Sequence, residues 1–349
     1  MYLKDLVDIQ MGQSPDSKFY NNDKIGLPFY QGKADFGRIN PIPKIWCSKS
    51  KKEAKPNDIL ISVRAPVGDL NINNEQSCIG RGLAAITCKS DVDMMYLYYH
   101  LKYLKPQLKH ISTGSTFESI NRSQLENLII DYKPYFDQIK ISNILQVVQR
   151  QIEVREKLLR LYDLLIKSRF VEIFKNNKAH IAIGELFQVI DGDRGKNYPK
   201  ATDFFDEGYC LFLNAKNVTK NGFCFDTVQF ITQQKDEQLN KGRVLPEDII
   251  LTTRGTVGNV AYCDIKSSHK HMRINSGMVI LRSKDIIYDV DFITYVLSNQ
   301  INYGKEISGS AQPQLPISKL KDIMIPFPEI FLQKDFGYLI KQINKLKFA

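Results

Sequence analysis

Two short apolar runs stand out in the pattern of hydrophobic and polar positions. Ile59-Leu60-Ile61-Ser62-Val63 and Ile249-Ile250-Leu251-Thr252-Thr253 are β-branched or aliphatic without alternation, and each is followed by a glycine-rich joint. Such runs predict strands buried on both faces. Met94 to Lys105 and Val290 to Gln300 have helical spacing. A longer helical pattern lies between the two halves. Ile141, Leu145, Val148, Ile152, Leu159, Tyr162 and Ile166 recur at spacings of three and four, with Arg155 in the one gap. This is a heptad-like seam, and Leu158, Leu161 and Leu165 add a second apolar face. Residues 136–174 contain neither Gly nor Pro. At ~1.5 Å per residue that helix would be on the order of 60 Å long. A second helical stretch carries Phe331, Phe336, Leu339, Ile340, Ile343 and Leu346. A rod apolar on more than one face needs a partner helix, and this stretch predicts an antiparallel pair. It is the shorter of the two, so part of the first helix is left for another chain or for water.

The chain repeats itself. Residues 3–12 match 183–192, an offset of 180 (192 − 12). Tyr30-Gln31-Gly32-Lys33 matches Leu213-Asn214-Ala215-Lys216, and residues 56–68 match 246–258 at an offset of 190 (254 − 64). Ile111-Ser112-Thr113-Gly114-Ser115 matches Glu306-Ile307-Ser308-Gly309-Ser310 at 195 (309 − 114), and Gln138 falls on Gln333 at the same offset. The block order never changes and the offset grows only through small insertions, which identifies a duplication. Each unit is mixed α and β, closes at Tyr132-Lys133-Pro134 or Pro326-Phe327-Pro328, and runs into a helix. The expected organisation is α+β: a first domain at 1–135, a long helix at 136–178, a second domain at 179–328 and a short helix at 329–349.

With 349 residues the chain suits about two domains. The formal net charge is +10 and the isoelectric point about 9.1, which favours polyanionic partners. The six cysteines, at 47, 78, 88, 210, 224 and 263, form no CxxC pair, and Cys263 with His269 and His271 does not match a zinc spacing. They read as reduced thiols. The first residues reach a charge too early for a signal peptide, and no apolar run is long enough to span a bilayer, so the expected location is the cytoplasm.

No GxxxxGK[ST] loop is present, no Gly-rich motif opens a βαβ unit, and there is no Asn/Asp-Pro-Pro-aromatic tetrapeptide of the kind amino-methyltransferases use. Asp191-Gly192-Asp193 is the densest carboxylate pair, but Arg194 and Lys196 beside it favour a polar loop over a metal-binding turn. Glu118 and Ser119 lack an evident His partner. Duplex DNA is read by donors aimed at base edges, with Arg suited to guanine and Asn or Gln to adenine. The duplicated blocks end in such residues: Gln31 and Lys33, Asn214, Lys216 and Asn217, Arg64 and Arg254. Arg64 and Arg254 each follow a strand and precede a glycine turn. Two readings of them stand level: a cation at the rim of a sheet facing DNA, or an ion pair closing the turn. Gln13 and Ser14 occupy the place of Arg194 and Lys196 in the other unit, and their divergence suits loops that read different half-sites or loops that simply face solvent. Arg81 and Arg273 are further candidates.

Taken together, these features make the chain resemble the specificity subunits of type I restriction–modification systems, over essentially its whole length. The resemblance is carried by residues 252–258 (Thr-Thr-Arg-Gly-Thr-Val-Gly), 273–278 (Arg-Ile-Asn-Ser-Gly-Met), 111–117 (Ile-Ser-Thr-Gly-Ser-Thr-Phe) and the junction at 134–144. It implies two target recognition domains held apart by an antiparallel coiled coil, each reading half of a bipartite double-stranded DNA site. It further implies a non-catalytic chain without cofactor. Two modification subunits using S-adenosylmethionine and restriction subunits using ATP and Mg would do the chemistry. The C-terminal helix is short for the family. Two other classes compete: a fragment or relative of a fused methyltransferase–nuclease, and a coiled-coil scaffold that never touches DNA.

Overall fold

A computed structural model of the chain describes residues 1–113, 118–264, 269–307 and 314–348, with Phe348 described by its backbone only. Parts of the matched segments 111–117 and 306–310 therefore lie outside the described residues. The chain divides into two compact units, Met1–Glu156 and Lys157–Ala349.

The first unit holds a four-stranded antiparallel sheet in the order Val7–Met11, Leu83–Cys88, Ile59–Ser62, Leu70–Ile72. A second, five-stranded sheet contains Leu27–Tyr30 beside Ser77–Ile79, paired in parallel with Tyr30 opposite Ile79. The continuous apolar run Ile59-Leu60-Ile61 is explained by what lies on its two sides. Ile59 and Ile61 face one core with Leu6, Leu97 and Leu125, while Leu60 faces another with Tyr30, Ile79 and Leu83.

The second unit reproduces this plan. Its four-stranded sheet runs Phe187–Asp191, Met278–Ser283, Ile249–Thr252, Val260–Tyr262. Its second sheet again contains a parallel pair, Cys210–Leu213 beside Met272–Ile274. Ile249 and Leu251 face a core with Phe292 and Leu297, and Ile250 faces one with Leu211 and Leu213. The order of the four-stranded sheet is thus the same in both units, with matching elements at the places the sequence repeat assigns, while the second sheet has five strands in the first unit and four in the second.

The helices expected at 94–105 and 290–300 are Met94–Tyr103 and Val290–Asn299, each begun by an aspartate whose carboxylate accepts an N–H of the first turn (Asp93 from Tyr96, 2.7 Å; Asp289 from Phe292, 2.9 Å). In the first unit Pro106 sits at the start of a separate short helix, Lys105–Ile111.

The long helix is Tyr135–Phe174, and the C-terminal helix is Ile330–Phe348. In the second unit they pack antiparallel: Phe336 lies 5.4 Å from Phe170 and 5.5 Å from Phe174, ring centre to ring centre, while Lys347 reaches back to Asp163 at 2.6 Å. Ile166, Phe170, Phe336, Ile340 and Ile343 are buried in this seam. The pairing stops where the short helix stops. Leu145, Val148 and Ile152, seam positions of the sequence pattern, are exposed.

Candidate nucleic-acid interface

The loop that follows each central strand is shaped by one buried hydroxyl. Ser62 donates to the carbonyl of Pro66 (2.7 Å) and accepts the N–H of Asp69 (2.9 Å). In the second unit Thr252 donates to the carbonyl of Thr256 and accepts the N–H of Asn259 (3.0 Å). The turn closes at Gly68 and Gly258, with φ of +83° and +96°, a region open to glycine. At Gly258 a Cβ would also stand 2.8 Å from the Tyr303 ring. Arg64 and Arg254 sit two residues past these hydroxyls, and each is bridged to a further segment, Arg64 to Ser119 and Arg254 to Gln314.

Arg64 is exposed, and Arg254 is partly buried with its Nε lacking a hydrogen-bond partner among the described residues. Neither forms a salt bridge among the described residues. The ion-pair reading of these arginines finds no carboxylate there.

A second loop lies alongside in each unit. Gly12 and Gly192 end the first strands, and a Cβ on either would stand 2.1 Å from a carbonyl oxygen, that of Gly80 or of Asn275. Only glycine permits that approach. It brings residues 13 and 14 against 79–82: the Gln13 N–H donates to Ile79 O (3.0 Å) and the Arg81 N–H to Ser14 Oγ (3.3 Å).

In the first unit the structure gathers Gln31, Lys33, Arg64 and Arg81 around one cleft of about 740 Å³, together with Phe29 and Ile45. Gln31, Arg64 and Arg81 are exposed. Lys33 is also exposed but pairs with Asp69 (2.8 Å), which takes Lys105 on its other oxygen (2.5 Å). Partial burial works to raise the Asp69 carboxyl, but the hydrogen bonds and charges of Lys105 and Lys33 outweigh it and hold it below the usual range. Gln13 and Ser14 lie on the neighbouring loop and do not line the cleft.

The second unit separates the candidates. Lys196 and Lys216 are exposed. Arg194 is exposed, pairs with Asp191 at 3.1 Å and donates to Ser276 O at 3.3 Å. Asp193, the other carboxylate of that turn, is buried and accepts the N–H groups of Gly195 and Asn240, both at 2.8 Å. Burial opposes ionisation of Asp193, but these main-chain donors prevail and lower its pKa. It organises the loop. Asn214 caps the N–H of Lys216 at 2.9 Å.

Two candidates must be corrected. Asn217 is fully buried, and its amide donates to Cys224 O and Thr227 O while its oxygen accepts the Asn214 N–H. Arg273 is 2% exposed. Its Nε donates to Asp236 Oδ1 at 2.6 Å, its Nη2 to Asp236 O at 2.8 Å and its Nη1 to Lys241 O. Every nitrogen of the guanidinium is engaged inside the unit, so neither side chain is offered to a ligand. Burial works against the Asp236 charge, but the Arg273 hydrogen bond and charge outweigh it and keep the carboxyl below its ordinary range.

Sequence reasoning missed Lys220 and Asn221. They line a cleft of about 700 Å³ with Gly255 and Thr256, beside the Arg254 turn. The signal was the polar hairpin Val218–Thr219 and Gly222–Phe223, whose tip they form. No group of three His, Cys, Asp or Glu side chains suited to a metal occurs among the described residues, and no helix there is long and apolar enough to cross a membrane.

The model of the type I restriction modification DNA specificity domain matches residues 1–160 and again 176–347. The putative type I restriction enzyme MjaX specificity subunit of Methanocaldococcus jannaschii is 44% identical over 150 residues, which are 43% of this chain and 35% of that protein. The chain thus spans about a third of the length of that relative. The MjaIX specificity subunit of the same organism is 24% identical over 95% of this chain and 83% of its own length. Among solved structures, a type I restriction–modification system S subunit from M. genitalium aligns over 99% of this chain and 89% of its own, with a TM-score of 0.63 at 17% identity, a likeness of fold.

Proposed function

The chain belongs to the type I restriction modification DNA specificity family, and from that premise we propose that it reads a bipartite double-stranded DNA site, one half with each unit, on behalf of catalytic partners. The convergence of Gln31, Lys33, Arg64 and Arg81 on one cleft is the observation that carries this reading. A glutamine and two arginines without side-chain partners among the described residues are the donor types suited to base edges. Burial of Arg273 and Asn217 leaves Arg254, Arg194, Lys196 and Lys216, with Asn214 shaping the loop, as the surface of the second half. The wide excess of cations supplies phosphate attraction that depends on salt.

The chain itself carries out no catalysis on this reading. Two modification subunits bind S-adenosylmethionine and methylate adenine, and restriction subunits use ATP and Mg to cleave. The exposed part of the long helix, with Val148 and Ile152, is the surface offered to the modification subunits. Mapping methylated adenines in the host genome with and without this gene tests the whole. Loss of one motif made of two short half-sites around a fixed unread gap is the expected result. A methylome that stays the same, together with no retention of duplex DNA by the purified chain, would overturn it.

A further inference from the structure

Serine and arginine have changed places between the two units. The two frames correspond in their main-chain contacts. Gly80 N–H donates to Tyr30 O at 2.8 Å, as Asn275 N–H does to Leu213 O at 3.1 Å. Val63 N–H donates to Gly82 O at 2.9 Å, as Thr253 N–H does to Gly277 O at 2.8 Å. Residue 81 therefore corresponds to residue 276, held between the same two anchors. Residues 14 and 194 correspond as well, each two places beyond the glycine that presses on that loop. The first unit has Ser14 and Arg81; the second has Arg194 and Ser276. The two positions touch in both units, through Arg81 N–H to Ser14 Oγ and through Arg194 Nη2 to Ser276 O, each at 3.3 Å.

We propose that this pair of positions is one recognition point per unit, filled by a single guanidinium that takes two acceptors of the DNA, and that either loop can deliver it. The proposal rests on the DNA-reading assignment above and deepens it. Packing does not account for the exchange. Both arginines are exposed, and the Arg81 side chain has no hydrogen bond or ion pair among the described residues. A residue kept for stability would keep its backbone position and its contacts. Here the backbone position is exchanged, and each unit keeps one arginine and one serine in the pair. The units differ in one respect: Asp191 steadies Arg194 at 3.1 Å, where the first unit has Met11. The acceptors are a guanine edge or a pair of phosphate oxygens, both of which match the planar fork of arginine.

The test uses the full chain on a pool of randomised duplexes, with the retained sequences read out and thermal melting recorded for every variant. Arg81→Ser, or Arg81→Gln as a bulkier substitute, should lower affinity for the first half-site by roughly 10- to 100-fold. Ser14→Arg added to Arg81→Ser should restore most of the loss. Arg194→Ser and its pairing with Ser276→Arg should behave likewise at the second half-site. Relaxation at a single G·C position identifies a guanine edge. Uniform weakening with a salt slope reduced by about one identifies phosphate. Single variants that bind as the parent does overturn the proposal, and so does an exchange that melts normally yet restores nothing. Arg64→Ala in the same pool separates the two levels: a loss there with no effect at 81 retains the DNA reading and removes only this inference. A parent chain that retains no motif removes both.

Discussion

Gln138 accepts a hydrogen bond from the main-chain N–H of Asp93 at 2.9 Å while donating to Lys133 O at 2.8 Å. Gln333 does the same with Asp289 (3.1 Å) and Pro328 O (2.7 Å). Both amides are buried, at 0% and 1% exposure, so no water replaces them. Each couples the start of a domain-closing helix to the aspartate that caps an earlier one. Gln138→Ala and Gln333→Ala should each cost about 1–3 kcal/mol, the loss expected when a buried donor is orphaned. Denaturant melts should show the first variant lowering one unit's transition and the second the other's. A single shared shift would refute independent latches.

Arg273→Ala should destabilise the second unit by about 3–5 kcal/mol, because Asp236 is left buried with the exposed Arg243 as its remaining salt-bridge partner among the described residues. The native carboxyl is held below its ordinary pKa, so its contribution is present above the unfolded carboxylate value and is lost as pH falls through the folded one. In the variant burial prevails and that acid-side loss disappears. The stability gap between parent and variant should therefore narrow as pH is taken below the usual carboxylate range. Melting curves over an acid series check this, and a gap that stays constant with pH counts against the pair.

Arg64→Ala should weaken binding to one half-site by about 1–3 kcal/mol, and Arg254→Ala the other, if each meets a base. Competition between duplexes altered in one half at a time reads the two losses separately. A change in melting temperature without a change in binding would restore a purely structural role.

Val148→Asp with Ile152→Asp should leave melting within about 0.5 kcal/mol, since both side chains are exposed and belong to neither unit's buried core. Assembly with modification subunits should fall sharply, as read by co-purification or analytical ultracentrifugation. Normal assembly would place the partner surface elsewhere.

The duplication was legible because it lives in order and spacing, and the order of the four-stranded sheet repeats it in both units. The buried strands were legible because Leu60 and Ile250 need an apolar neighbour on the second side. The split among the polar candidates was not. Arg273 and Arg64 look alike in sequence, and what distinguishes them is Asp236, 37 residues away on a short helix of polar composition. Asn217 was misread for a similar reason: an amide that closes a loop through main-chain carbonyls has the same letter as one that reads adenine. The Ser–Arg exchange is not legible at single positions, because it appears only when residues 14 and 81 are set as a pair against 194 and 276.

The anchors that define each loop frame, from Gly80 and Asn275 to Val63 and Thr253, are main-chain groups, and the glycines beneath them set clearances rather than chemistry. In the first unit the side chains of Gln31, Arg64 and Arg81 are exposed and take no part in these anchors. On the proposed reading, point changes at 31, 64 or 81 would alter what the first half reads without re-solving the folding problem. Two sockets of one make, fitted with different pins, would on that reading let new target sequences arise one half at a time.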